Sequence, residues 1–176
     1  MSFHIFSQQI DTPIQKVSLH NSRSELIQFN IKRDDLIDPQ ISGNKWRKLK
    51  YNFNELDKSK FSGIASFGGA FSNHIAALAA AGERANISTL GFIRCHEIDL
   101  KNPTLALAHS LGMKLVALSR AEYKLRHDLQ FLSDLQQQYP NYLIVPEGGS
   151  NQAAKLGVAE LAQEISAQSD LNIIAC

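Results

Sequence analysis

Ile64-Ala65-Ser66-Phe67-Gly68-Gly69-Ala70-Phe71-Ser72-Asn73-His74 reads as a strand, a glycine turn and the start of a helix. The short apolar run Ile64–Phe67, closed by Gly68-Gly69, has the pattern of a buried strand. Ser72 stands where a helix needs its N-cap, and an alanine-rich stretch follows to Ala85. The same alternation continues downstream. Ile87–Ile93 predicts a strand, Pro103–Leu111 a helix, Lys114–Leu118 a strand, and Arg120–Gln138 one long amphipathic helix stopped near Pro140. Tyr142–Val145 predicts a strand closed by Pro146-Glu147-Gly148-Gly149-Ser150, Gln152–Ala167 a helix, and Leu171–Cys176 a last apolar strand. Strands alternating with helices of this length predict βαβ units on a parallel sheet. Right-handed crossovers then place helices on both faces.

Upstream the pattern is less regular. Gln15–Leu19 and Leu26–Ile31 alternate apolar and polar side chains, as half-buried strands do. A turn-rich segment follows, with Asp34-Asp35, Asp38-Pro39 and Ser42-Gly43-Asn44. From Lys45 to about Leu56 the spacing predicts a helix with Trp46, Leu49, Phe53 and Leu56 on one face.

Bulk properties narrow the function. The 176 residues are 44% hydrophobic and 20% charged, which is ordinary for a folded globular chain. A net charge of +1 gives no electrostatic case for nucleic acid or an anionic membrane as partner. The two cysteines, Cys95 and Cys176, form neither a CxxC nor a metal-ligand spacing, so no metal site is expected and a reducing, cytoplasmic setting fits. No basic segment followed by a long apolar run opens the chain, and no stretch has the length of a membrane span.

Two motifs carry chemistry. The first is Ser42-Gly43-Asn44-Lys45-Trp46-Arg47-Lys48-Leu49, which delivers Lys45 into the first turn of a helix. At 100° per residue Lys45 lies at the margin of the apolar face, while Arg47 and Lys48 point away from it. Lys45 is therefore the cation best placed to lean inward, where partial desolvation and cationic neighbours lower a lysine's pKa and make it a nucleophile toward an aldehyde. The helix N-terminus acts in the same direction. Spacing alone leaves open a solvated basic cluster at a helix start. The second motif is the loop Gly68–His74. Its Ser72 cap and the free amides behind it suit a carboxylate or phosphate, with Asn73 and His74 as further donors. It matches neither GxGxxG nor the P-loop, which argues against a nucleotide-binding domain. His4, His20, His96, His109 and His127 are scattered. Cys95 reads as packing, Arg94 and Glu97 as loop charges, and Tyr123, Lys124 and Arg126 as a solvated helix surface.

In combination, Lys32-Arg33-Asp34-Asp35-Leu36, the Ser42–Leu49 motif, Gly68-Gly69-Ala70-Phe71-Ser72-Asn73-His74, Asn102-Pro103-Thr104-Leu105 and Pro146-Glu147-Gly148-Gly149-Ser150-Asn151 resemble the 1-aminocyclopropane-1-carboxylate deaminase and D-cysteine desulfhydrase family. The resemblance runs from about residue 30 over nearly the whole chain. It implies the tryptophan-synthase β-like α/β fold, with parallel sheets flanked by helices in two domains and pyridoxal 5'-phosphate in the cleft between them. Residues 1–59 would begin the larger domain, 60–146 would form the smaller one, and 147–176 would start the return into the larger. It implies Lys45 as the catalytic lysine that carries the cofactor, Ser72 as a catalytic residue against the substrate carboxylate, and Asn73 on the cofactor's ring hydroxyl. Ser72, Asn73 and His74 would contact substrate, with Asn44 and Gly149 as shape-setting neighbours. His74 fits the desulfhydrase branch slightly better than the deaminase branch.

The implied reaction is a deamination of a small amino acid, D-cysteine or 1-aminocyclopropane-1-carboxylate, to ammonia and a 2-oxo acid. A homodimer is the implied assembly. The family's chains run well past residue 176, into a Gly/Thr-rich loop that cradles the cofactor phosphate. This leads to the expectation of a truncated larger domain, with weak cofactor binding and no turnover by the isolated chain. The competing expectation is an inactive protein of the same fold that serves as a binding module.

Overall fold

In the computed structural model, residues 4–7, 10–57 and 59–168 are described. The expected strand Leu171–Cys176 lies outside them. Residues 63–144 build a four-stranded parallel sheet from β3 (Gly63–Gly69), β4 (Ser88–Arg94), β5 (Lys114–Leu118) and β6 (Tyr142–Ile144), in the order β5-β4-β3-β6. The upstream pair, β1 (Ile14–His20) and β2 (Leu26–Lys32), forms an antiparallel hairpin with Ile14 opposite Lys32.

The alternation along β3 and β4 explains the layering. Ile64 and Ile93 face a core shared with α1 (Asn44–Asn54), α2 (Asn73–Ala85) and α3 (Pro103–Ser110). Ala65, Phe67, Leu90 and Phe92 face the opposite core, closed by Tyr123 of α4 (Arg120–Lys124) and Leu135 of α5 (Leu129–Gln138). Because successive strand side chains point to opposite faces, a sheet covered on both sides needs apolar residues at nearly every position. The helices on both faces follow from that.

Helix starts are fixed by local caps. Ser72 Oγ accepts from Ile75 N, Asn102 Oδ1 from Thr104 N and Leu105 N, and Asn151 Oδ1 from Ala154 N at the start of α6 (Gln152–Gln168). α2 ends on Asn86, in the left-handed region at φ 53°.

Three expectations are corrected. Arg120–Gln138 is two helices, because Asp128 Oδ1 accepts from Phe131 N and caps a new start after Leu125. Tyr123 is buried at 3% exposure instead of solvated, since the short α4 lays it on Phe67 with ring centroids 6.3 Å apart. The hairpin is not half-buried. Leu19, Leu26, Ile27, Phe29 and Ile31 are all exposed, and its polar contact with the body is made by Lys32, which pairs with Glu164 at 3.2 Å.

A fourth correction concerns α1. Arg47 does not point to solvent: it is wholly buried. α6 lies against the face of α1 that a single-stripe helix would leave wet, so closely that a methyl group at Gly157 would collide with the Arg47 carbonyl oxygen. Among the described residues no helix is long and apolar enough to cross a membrane.

Candidate active site

The turn before α1 delivers Lys45 through Gly43, whose φ of +62° and ψ of −142° suit only glycine. Gly43 N donates to the Asp34 carbonyl at 2.9 Å, which anchors this turn to the preceding segment. Lys45 is half-buried, and its Nζ donates to Asn44 Oδ1 at 2.6 Å. Among the described residues no carboxylate pairs with it. Burial, and after it the charge of Lys48, holds its ammonium below the ordinary lysine pKa. The other cations of α1 are committed elsewhere: Lys50 pairs with Glu160 at 2.7 Å and Lys48 donates to Ser150 Oγ at 3.0 Å.

Lys45 opens into a pocket of about 400 Å³, a volume typical of small-ligand clefts. Ser42, Gly43, Asn44 and Lys45 form one wall, and Asn73, Ala76 and Ala77 of α2 form the other. The two motifs, 28 residues apart at Lys45 and Asn73, thus meet across one cavity. Ser72 stands at the start of α2. The helix geometry leaves the amides of Asn73 and His74 without an intrahelical acceptor.

His74 occupies a different place. It is 3% exposed and does not line the Lys45 pocket. Ser66 Oγ donates its one hydrogen to the Pro146 carbonyl at 3.0 Å, so it accepts from His74 Nε2 at 2.8 Å. That assigns the proton to Nε2 and leaves Nδ1 a bare acceptor, with no partner among the described residues. Burial first, and then the charges of Lys45 and Lys48, lowers the imidazole pKa to about 4. A histidine whose folded pKa lies below its unfolded value stabilises the fold above the unfolded pKa. That contribution is lost as pH falls through the window between the two. Stability is therefore expected to drop between about pH 6.5 and pH 4 by on the order of 3 kcal/mol from this group alone. Melting curves of His74→Gln across this range check it: the slope must flatten relative to the parent chain.

Sequence reading did not find the polar seam at Asn52. Asn52 is fully buried, donates to the Lys48 and Gly149 carbonyls at 2.7 and 3.1 Å, and accepts from Asn151 Nδ2 at 2.6 Å. It ties α1 to the Glu147–Asn151 segment. Its position was legible in principle: seven residues beyond Lys45 is about 20° off the same helical stripe, where a lone amide among apolar residues stands out.

No protein-family model matches the chain. It is 33% identical over 164 residues to a Thermotoga maritima protein provisionally assigned as a 1-aminocyclopropane-1-carboxylate deaminase, covering 91% of this chain and 51% of that one. It is 28% identical over 177 residues to a bifunctional D-cysteine desulfhydrase/1-aminocyclopropane-1-carboxylate deaminase of Arabidopsis thaliana, covering 94% and 43%. A solved deaminase homologue superposes with a TM-score of 0.74 at 22% identity, over 97% of this chain and 51% of that one. A hydrogen sulfide-producing enzyme of Fusobacterium nucleatum superposes at 0.64 and 15%, over 89% and 47%. At these identities the structural likeness speaks to fold. The chain spans about half the length of the curated relatives it matches.

Proposed function

The chain is a relative, along nine-tenths of its own length, of the 1-aminocyclopropane-1-carboxylate deaminases and D-cysteine desulfhydrases, and from that premise we propose that it serves pyridoxal 5'-phosphate chemistry on a small amino acid, with Lys45 as the cofactor lysine. One observation carries the proposal. Lys45 is a half-buried amine of lowered pKa, free of carboxylates among the described residues, facing Asn73 across a cavity. Those donors fit an aldehyde cofactor: the amine for attachment, and the amides of Asn44 and Asn73 for its ring substituents.

When bound, the cofactor supplies an electron-withdrawing ring that weakens the bonds at the substrate α-carbon. The rest falls to the chain. The Lys45 amine, more often neutral than an ordinary lysine, accepts or returns a proton at Nζ. Ser72 Oγ uses a lone pair toward Ile75 N at 3.4 Å, which leaves its O–H to donate to a substrate carboxylate. Asn73 contributes its side-chain amide beside the cofactor ring. His74, neutral and wired to Ser66, holds the first turn of α2 in place. Residues 60–146 are proposed as the smaller of two domains, with the cofactor at their boundary with the α1–α6 pair.

Carried in a protein of its relatives' full length and supplied with pyridoxal phosphate, the chain is expected to support release of ammonia and a 2-oxo acid from D-cysteine or from 1-aminocyclopropane-1-carboxylate, whereas the 176 residues alone are expected to show no turnover. Sulfide would appear only with the first. Coupled assays for ammonia, pyruvate, 2-oxobutanoate and sulfide check it. Cofactor capture without product from either amino acid would remove the catalytic half of the reading and leave a binding module.

A further inference from the structure

The carboxyl ends of β3, β4 and β5 open into a second pocket, of about 780 Å³. Ligands of open α/β sheets collect at this edge. Five basic side chains line it, Arg94, His96, Arg120, Lys124 and Arg126, gathered near Tyr123. No carboxylate is among the lining residues. For a chain of net charge +1, this is a strong local excess of one sign.

The arrangement is built around Tyr123. The ring is buried, and its hydroxyl donates to Glu147 Oε1 at 2.7 Å. Arg94 Cζ lies 5.5 Å and Arg126 Cζ 4.9 Å from the ring centroid. Contact with an aromatic face steadies a guanidinium and leaves its N–H edge available to an anion. Glu147 pairs with Arg126 at 2.6 Å and so neutralises one cation. No ion pair joins Arg94, Arg120 or Lys124 among the described residues, and Glu147, whose charge Arg94 also feels, is one carboxylate against four lining Arg and Lys side chains, an excess of three positive charges. A single carboxylate would answer one of them. A phosphoryl dianion answers two, and its oxygens match the forked donors of arginine.

We infer that this pocket binds a phosphoryl dianion, free or carried as an ester by a small metabolite, at a site separate from the Lys45 cavity. Ala70 and Phe71 line it, whereas Asn73, two residues on, lines the Lys45 cavity, so the two sites share one loop without sharing a pocket. Phe71, 75% exposed at the rim, offers an apolar face to the body of an ester. The inference stands independently of the proposed reaction.

Titration calorimetry with inorganic phosphate, pyrophosphate and a simple phosphate monoester, at low salt and without pyridoxal phosphate, tests it. Saturable binding that weakens as salt rises is expected, and a tighter monoester than phosphate would assign the site to a metabolite. Arg94→Gln with Lys124→Gln is expected to weaken binding about tenfold or more while binding in Lys45→Ala stays at the parent value. Arg94 and Lys124 are exposed, so unchanged circular dichroism and melting temperature verify that the double variant folds. No saturation by about 20 mM pyrophosphate, an affinity unmoved by the double variant, or binding lost in Lys45→Ala would each overturn the inference.

Discussion

Incubated with pyridoxal phosphate at neutral pH and reduced with borohydride, the chain will carry its label at Lys45, and Lys45→Ala will carry none there or at any single replacement lysine. Peptide mass mapping reads this directly, without need of turnover. Only a neutral amine attacks an aldehyde, so selectivity among lysines follows their neutral fractions. Lys45 is held below the ordinary lysine pKa by burial first and the Lys48 charge second. Lys32 and Lys50 are engaged by Glu164 and Glu160 at 3.2 and 2.7 Å, which keeps their amines from an incoming aldehyde. The preference for Lys45 should therefore be strongest near neutrality. It should fade as pH rises toward the ordinary lysine value of about 10.4. Lys48→Gln removes the second cause and should reduce the preference without abolishing it. Label spread evenly over the lysines at neutral pH would remove Lys45 from the role proposed for it.

What the sequence made legible divides along physical lines. The parallel sheet was readable because each strand sits between two helical layers and must be apolar almost throughout, as Ile64, Ala65 and Phe67 are. The Ser72 cap was readable because capping is local: a hydroxyl three residues before the amide that it accepts from. Lys45 leaned inward for a reason that the helical wheel could state. The wheel failed for Arg47, because it assumed one buried face, and which helix covers the other face is decided by residues 152–168, more than a hundred positions away. Asn52 is a similar case, since its partners outside α1, Gly149 and Asn151, lie almost as far along the chain. Tyr123 was misplaced by a break that a single residue, Asp128, imposes on an otherwise continuous amphipathic pattern. The hairpin's alternation was real, yet alternation reports only that one face could be covered, and Leu26 and Phe29 remain exposed.

Arg47→Met is expected to destabilise the fold by about 3–5 kcal/mol, because it strands two carboxylates that, among the described residues, only this guanidinium bridges by hydrogen bonds. Arg47 Nε and Nη2 donate to Asp34 at 2.6 and 2.9 Å, and Nη1 and Nη2 to Glu164 at 2.9 Å each. Thr12 Oγ1 adds a bond to Asp34 at 2.7 Å and Lys32 a contact to Glu164 at 3.2 Å, but neither spans the two acids. For a chain of this size the loss corresponds to a fall of roughly 10 °C in melting temperature. Arg47→Lys keeps the charge but not the fork, and should fall between the two. Asp34→Asn combined with Arg47→Met should lose less than the sum of the single changes, since each single change leaves its partner unpaired. The pH dependence separates this from lost packing. Burial raises the pKa of Asp34 and of Glu164, but hydrogen bonds and charge from Arg47, with Thr12 at the first and Lys32 at both, outweigh it and hold both below the ordinary carboxylate value. A depressed acid stabilises the fold above its unfolded pKa, near 4, and that contribution is lost as pH falls through the lower folded value. In Arg47→Met only Thr12 and Lys32 remain to offset burial at Asp34, so acidification costs the variant less than it costs the parent. The gap between their melting temperatures should be widest near neutrality and close below about pH 4, whereas a gap independent of pH would assign the loss to volume alone. Because Asp34 also accepts Gly43 N, the same change loosens the turn that presents Lys45, and selective labelling at Lys45 should weaken in step with stability.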